Sequence, residues 1–232
     1  MNLHVLSAGA AKGLVEALQP EFERETGARV SATFGAVGAM REKLLAGSAC
    51  DILILTAAMQ DDLARDGRIL RATTAPLGRV FTGIAVRSGE PHPGIADRAT
   101  LRASLAAARG LYCPDPERAT AGIHFVRVLR ELGLWPGLEP RLRPYPSGAV
   151  AMGALAASRE SGLVGCTQIT EIRYTPGVEL VGPLPPEFAL ATVYSVAVCT
   201  AALQPCLARG FAGSLAGPGL ADIRQRGGFE SS

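Results

Sequence analysis

The sequence lacks both a long hydrophobic run and a dense cluster of basic residues. None of its apolar runs approaches the roughly 20 residues that span a bilayer. Its 23 Lys and Arg residues nearly balance its 21 Asp and Glu residues, for a net charge of +2 over 232 residues. We therefore expect no membrane insertion and no nucleic-acid partner.

The number and spacing of the cysteines also limit the kinds of site that the chain can contain. The number of cysteines is odd, and none are spaced as Cys-x-x-Cys. Four fall in apparent strands, Cys50, Cys113, Cys166 and Cys199, and the fifth is Cys206. This pattern favours a reducing compartment, and it argues against both a disulfide framework and a metal centre. We expect the cysteines to pack as small core residues, with no metal and no cofactor.

The N-terminus has no basic leader, no apolar segment and no cleavage site before its first apparent strand at Leu3. The chain as written is therefore expected to be cytoplasmic. A periplasmic location is the expectation if the sequence is a trimmed mature form.

What the chain does contain is a recurring strand, small-residue turn and helix. Leu3–Leu6 predicts a buried parallel strand, Ser7–Ala11 is nearly devoid of side chains, and Leu14, Leu18 and Phe22 have helical spacing. The free backbone N–H groups at such a helix start suit an anion. The alternative is a plain β-α unit whose small residues only let helix pack on sheet.

Two further turns follow in the same half of the chain. Strand Ala28–Phe34 leads into Gly35–Gly38, and strand Cys50–Leu55 leads into Thr56. The β-α-β-α-β-α order predicts a parallel sheet with right-handed crossovers. Ligands of such sheets bind outside the carboxyl ends of the strands, where all three turns would lie.

The second half repeats the pattern around a small-residue turn at Ala119–Ile123. Further strands are predicted at Arg79–Val86, Leu111–Cys113, Leu163–Cys166 and Thr192–Cys199. Two proline-rich stretches, Pro140–Pro146 and Gly182–Pro186, are interpreted as connections. Pro20 predicts a kink or a break in the first helix. Two sets of β-α units indicate a cleft lined by backbone donors.

Several stretches together resemble the molybdate-binding members of the type II periplasmic binding proteins: Val5–Leu14, Glu25–Gly27, Phe34–Asp51, Asp115–Glu117 with Ala121–Ile123, Leu132–Gly133 with Trp135, and the last strand near Val196. The resemblance implies an α/β fold of two lobes, each a mostly parallel sheet flanked by helices, with a ligand cleft between them. Residues 1–80 and 195–232 would form lobe 1, and residues 81–194 would form lobe 2.

The resemblance also implies how a small anion would be held. In the family, serines at the first two turns and a tyrosine supply hydroxyl donors, but the matching positions here are Ala10, Ala36–Val37 and Gln168. The backbone donor positions, Ala121 and Val150, match. Each lost hydrogen bond to a charged group costs about 1.5–3 kcal/mol. The sequence therefore favours an organic di- or tricarboxylate over molybdate.

The resulting expectation is a solute-binding protein that closes on a small anion, with an ABC transporter permease as partner if it is exported. Its predicted ligand-binding residues are Gly9, Ala10, Ala11, Lys12, Ala36, Val37, Thr56, Thr120, Ala121, Gly122, Val150 and Gln168. A carboxylate at the second-lobe turn, Gly122→Asp, is expected to abolish binding and leave the fold intact.

An enzyme is the alternative, because the aconitate isomerases resemble the same family in fold. A 1,3-proton shift needs an acid and a base near the substrate carbons. Lys12, Asp115, Glu171 and His124 are candidates, but no established catalytic motif connects them. Each also has a structural interpretation: a solvated helix residue, a turn former, a helix cap and a packed histidine, respectively.

Overall fold

The structure, a computed structural model, describes residues 1–231 and divides the chain into two units. Unit 1 consists of residues 1–80 and the segment that starts at Thr192, and unit 2 consists of Phe81–Ala191. Within residues 1–231, no helix is both long enough and apolar enough to cross a membrane.

Nine strands and nine α-helices make up the described chain. In order they are β1 (Asn2–Ala8), α1 (Lys12–Thr26), β2 (Arg29–Gly35), α2 (Val37–Leu45), β3 (Ile52–Thr56), α3 (Ala57–Arg65), β4 (Ala75–Arg87), α4 (Arg98–Ala107), β5 (Gly110–Pro114), α5 (Thr120–Glu131), β6 (Leu142–Tyr145), α6 (Gly148–Ala157), β7 (Leu163–Gln168), α7 (Ile169–Tyr174), β8 (Val178–Pro183), β9 (Ala191–Val198), α8 (Pro205–Ala216) and α9 (Ala221–Gly227). The α/β class predicted from the sequence is confirmed.

The sheet of unit 1 has the strand order β2-β1-β3-β9. Strand β1 is parallel to β2 and β3, as predicted, whereas β9 runs antiparallel to β3. Residues 52–55 of β3 are fully buried, as expected for a strand covered on both faces. Helix α1 continues through Pro20 to Thr26. Of the two alternatives predicted at Pro20, the break is therefore wrong, and the kink stays a prediction.

The sheet of unit 2 has the order β4-β7-β5-β6, and β8 pairs with β4. Strand β5 is parallel to both β6 and β7, and β4 is antiparallel to β7 and β8. Phe125 and Leu129 of α5 pack into the core beneath this sheet, next to Leu111 and Cys113 of β5.

Of the two stretches interpreted as connections, one contains a strand and the other begins with the last two residues of a strand. Strand β6 lies within Pro140–Pro146, and β8 includes Gly182 and Pro183. Both lie at an edge of the pairing pattern, where a proline without an N–H group removes no ladder hydrogen bond. Proline is therefore compatible with a strand at these two places.

Candidate functional site

The predicted ligand residues of unit 1 lie at one edge of its sheet. Strands β2, β1 and β3 are parallel neighbours, so their carboxyl ends meet at the same edge. Helices α1, α2 and α3 begin there, each directly after its strand or after one short turn. The first half of the predicted site is thus brought together by the sheet topology.

The first of these turns is a single turn of 3-10 helix, Gly9–Ala11, whose residues are all buried. No side chain caps α1, and its first residue is Lys12. The Lys12 ammonium lies 3.7 Å from Oε1 of Glu16, one turn further along the helix. A positively charged first residue adds to the favourable field for an anion at this helix start.

The second and third turns are equally poor in side chains. Ala36 and Val37, at the start of α2, are both buried, and no side chain caps this helix. At α3, Thr56 Oγ1 accepts a hydrogen bond from Met59 N at 3.4 Å. The Thr56 hydroxyl therefore caps α3 as an acceptor, and a hydroxyl group can also donate its proton.

The predicted residues of unit 2 lie at the carboxyl ends of β5, β6 and β7, which also share one edge. Thr120 is the first residue of α5, and Gln168 is the last residue of β7. Within residues 1–231, helices α1, α2, α3, α5 and α6 have no acidic residue in their first turn. These five helices therefore carry no acid in their own first turns, whereas α7, which begins after β7 at the same edge, has Glu171 in its first turn.

Gly122 is a packing residue as well as part of the α5 turn. A Cβ on Gly122 would fall far inside van der Waals distance of the backbone oxygens of Pro114 and Asp115. Backbone atoms cannot move aside as a flexible side chain can. The expectation that Gly122→Asp leaves the fold intact is therefore wrong.

Two apolar side chains are exposed at the same helix starts. Ile123 in the first turn of α5 is 49% exposed, and Val150 in the first turn of α6 is 50% exposed. Both lie in the first turn of a helix, where backbone N–H groups are the kind of donor that binds an anion. A ligand at this edge would meet both polar N–H groups and hydrocarbon surface.

A buried carboxylate occupies the start of α6. Glu171 Oε1 accepts from Ala149 N at 3.3 Å, and Oε2 accepts from Thr167 Oγ1 at 2.5 Å. Burial raises the pKa of Glu171, although hydrogen bonds from Thr167 and from the backbone of residues 148, 149 and 168 oppose that rise. Val150 N lies 3.4 Å from Ser147 Oγ. The sequence presents Glu171 as an acid-base candidate but not its contact with α6; the feature of the sequence that permits this contact is Gly148, which has no side chain in the space that the carboxyl group fills.

The remaining acid-base candidates have identifiable structural partners. Asp115 Oδ1 accepts from the backbone N–H groups of Glu117 at 2.8 Å and of Arg118 at 3.0 Å, as in a turn-forming aspartate. His124 Nε2 lies 2.7 Å from the carbonyl oxygen of Phe188 and, in the neutral ring, donates to it. Both arrangements match the structural interpretations given above.

Residues 1–231 contain no cluster of three His, Cys, Asp or Glu side chains suited to a metal ion. A cavity of about 480 Å³ along β1 and β2 of unit 1 is lined by polar residues such as His4, Glu16 and Ser31. It contains none of the predicted ligand residues, so it is separate from the sheet edge described above.

Comparison with known proteins identifies relatives across nearly the whole chain. The profile of the bacterial extracellular solute-binding proteins matches residues 3–230. An aconitate isomerase from a Pseudomonas species is 27% identical over 214 residues, which are 90% of this chain and 79% of that protein.

Solved structures show the same fold. The periplasmic molybdate-binding protein of Azotobacter vinelandii superposes with a TM-score of 0.80 at 20% identity, covering 99% of both chains. The sulfate-binding protein of Mycobacterium tuberculosis gives a TM-score of 0.73 at 18% identity, covering 100% of this chain and 87% of the other. At these identities the likeness establishes the fold.

Proposed function

Because the chain belongs to the bacterial extracellular solute-binding proteins, we propose that it binds a small organic anion with two or three carboxylates. Relatives named for molybdate and sulfate are consistent with an anionic ligand. Export to the periplasm and delivery of the ligand to an ABC transporter permease are part of the same proposal.

Support for an anion comes from the helix starts at the two sheet edges. Five helices begin there without an acidic residue in the first turn, and Lys12 opens one of them. Glu171 already binds the start of α6, so the other four carry this argument. Backbone N–H groups at a helix start combine hydrogen-bond donors with the positive end of the helix dipole. The proposed ligand contacts are those at Gly9–Lys12, Ala36–Val37, Thr56, Thr120–Gly122, Val150 and Gln168.

The observation that carries the proposal for an organic ligand is the apolar surface beside these donors. Ile123 and Val150 are both about half exposed at helix starts of unit 2. A tetrahedral oxide has no hydrocarbon to cover them, whereas the carbon skeleton of a di- or tricarboxylate does. Ala10, Ala36 and Val37 also supply no hydroxyl for an oxide.

A thermal-shift and calorimetric titration series tests this proposal. The panel contains molybdate, tungstate and sulfate, and also succinate, malate, citrate and trans-aconitate. Saturation at a hundredfold excess over Kd stabilises a protein by about 2.7 kcal/mol. We expect a clear rise in Tm with at least one organic acid and none with millimolar molybdate. A micromolar Kd for molybdate would contradict the proposal.

A second candidate function is the isomerisation of such an acid by a 1,3-proton shift. It is favoured by the 27% identical aconitate isomerase. The catalytic residues are not assigned, and Lys12, Asp115, Glu171 and His124 stay candidates. Incubation of trans-aconitate with the protein in deuterated water, followed by proton NMR, tests it. Conversion to the cis isomer with deuterium incorporation would establish an enzyme, whereas an unchanged spectrum of a bound acid would leave a receptor.

A further inference from the structure

Two buried thiols of unit 1 are in direct contact. The sulfur atoms of Cys50 and Cys199 are 3.3 Å apart, and their residues are 9% and 2% exposed. Cys50 precedes β3 and Cys199 follows β9, its antiparallel neighbour. The N–H group of Cys199 donates to Asp51 O at 2.9 Å, which fixes this end of the strand pair.

We propose that Cys50 and Cys199 form a disulfide bond when the protein folds under oxidising conditions. A disulfide has an S–S distance of about 2.05 Å, so the two sulfur atoms need to approach by roughly 1.3 Å. The two thiols would lose two electrons and two protons to a small-molecule disulfide, which leaves as two thiols. The redox balance is therefore closed by an ordinary thiol–disulfide exchange.

The position of this pair gives the bond a structural role. Unit 1 is discontinuous, because residues 81–191 separate its first segment from the segment that starts at Thr192. Cys50 belongs to the first segment and Cys199 to the second. A bond between them would join the two segments covalently and would restrict the unfolded chain through a long loop, the case in which cross-linking is expected to stabilise most.

The protonation of Cys199 affects when the bond forms. The hydrogen bond with Cys50, together with burial, raises the pKa of the Cys199 thiol well above its ordinary value. Thiolate is the reactive form, so oxidation of the folded protein is slow and oxidation during folding is fast. Once formed, the buried bond is shielded from external thiols.

The chain contains its own controls for the pairing. Cys113 and Cys166 are both buried on neighbouring strands of unit 2, and burial raises the pKa of Cys113 to about 12. Cys206 is exposed. A non-specific oxidation would involve Cys206 first, and a generic pairing of core thiols would involve Cys113 and Cys166.

The experiment is refolding of the full chain in a glutathione redox buffer, with alkylation of free thiols and peptide mapping by mass spectrometry. Of the five cysteines, we expect three alkylated thiols and a Cys50–Cys199 cross-link. Cys199→Ser and Cys50→Ser should each leave all four remaining thiols free, whereas Cys113→Ser should retain the cross-link. Oxidised wild type should melt about 5–10 °C above the reduced form, a difference that Cys199→Ser lacks.

Several outcomes would overturn the proposal. Five free thiols after oxidative refolding, or a cross-link that contains Cys113, Cys166 or Cys206, would each do so. If a serine variant did not fold, the peptide map of the wild type would still decide the pairing.

Discussion

The carboxylate of Glu171 lies in the space that a side chain at residue 148 would fill, so that Gly148 and Glu171 depend on each other for their packing. An ideal Cβ on Gly148 would overlap with Oε2 of Glu171 and with Oγ1 of Thr167. The absence of a side chain brings the start of α6 close enough for its N–H groups to bind this carboxylate. The protein thus places one of its own carboxyl groups at a helix start of unit 2.

The first prediction follows from this overlap. Gly148→Ala should destabilise the protein by about 1–3 kcal/mol, because the methyl group would displace Glu171 from its hydrogen bonds. Gly153 lies in the same helix, and a Cβ there meets no atom within 4 Å. Gly153→Ala should therefore stabilise the protein by about 0.5–1 kcal/mol. Chemical denaturation of both variants measures the two effects, and equal losses would contradict the packing described.

The second prediction is a pH dependence caused by Glu171. Burial raises its pKa in the folded protein above the ordinary value of 4.5, so folding favours the protonated form. The resulting stability is fully present below pH 4.5 and is lost as the pH rises through the raised pKa. Each unit of difference between the folded and unfolded pKa is worth about 1.4 kcal/mol. Unfolding free energies measured across this range should fall with increasing pH.

Glu171→Gln identifies the source of that slope. The amide keeps the shape of the side chain but does not titrate, so the decrease above pH 4.5 should become smaller. Glu131→Gln, which removes a surface carboxylate beside Arg127, is the control and should leave the slope unchanged. A slope that survives in Glu171→Gln would assign it to other groups.

The third prediction concerns a buried aspartate at the opposite edge of the unit 1 sheet. Asp51 is fully buried, and its two oxygens accept from His4 N at 2.8 Å and from Gln204 N at 2.9 Å. Asp51→Asn replaces one acceptor by a donor and leaves a buried N–H group without a partner, at a cost of about 1–3 kcal/mol. Asp61→Asn on the exposed surface of α3 should change the stability by less than about 0.5 kcal/mol. Equal denaturation midpoints would contradict this role.

The sequence predicts those parts of the fold that depend only on neighbouring residues. Small residues after apolar strands, as at Ser7–Ala11, predicted the turns that start α1, α2 and α5. It does not predict β6, because the prolines of residues 140–146 indicate a connection unless the strand is known to lie at a sheet edge. Whether a strand lies at a sheet edge depends on the order of all the strands in the sheet, and no local sequence pattern shows that order.

The same limit applies to contacts between distant residues. Cys50 and Cys199 are 149 positions apart, and their apposition depends on β9 pairing antiparallel with β3. Glu171 and Gly148 meet because α6 and α7 begin at the same edge of one sheet, after β6 and β7, which flank β5 on its two sides. In both cases the residues are visible in the sequence, whereas their partnership follows from the order of the strands.

The last prediction tests the anion site at α5 without disturbing the core. Ile123 is half exposed in the first turn of α5, so a polar side chain there avoids the backbone overlap that prevents substitution of Gly122. Ile123→Asp would bring a negative charge to the helix start proposed to bind a ligand carboxylate, whereas Ile123→Asn has the same shape without the charge. The measurement is a calorimetric titration with the organic acid that gives the largest Tm shift. We expect at least a tenfold lower affinity for Ile123→Asp than for Ile123→Asn, because one unfavourable charge contact of about 1.4 kcal/mol has that effect. The difference should shrink at high salt, because ions screen an exposed charge. Equal affinities of the two folded variants would place the ligand away from the start of α5.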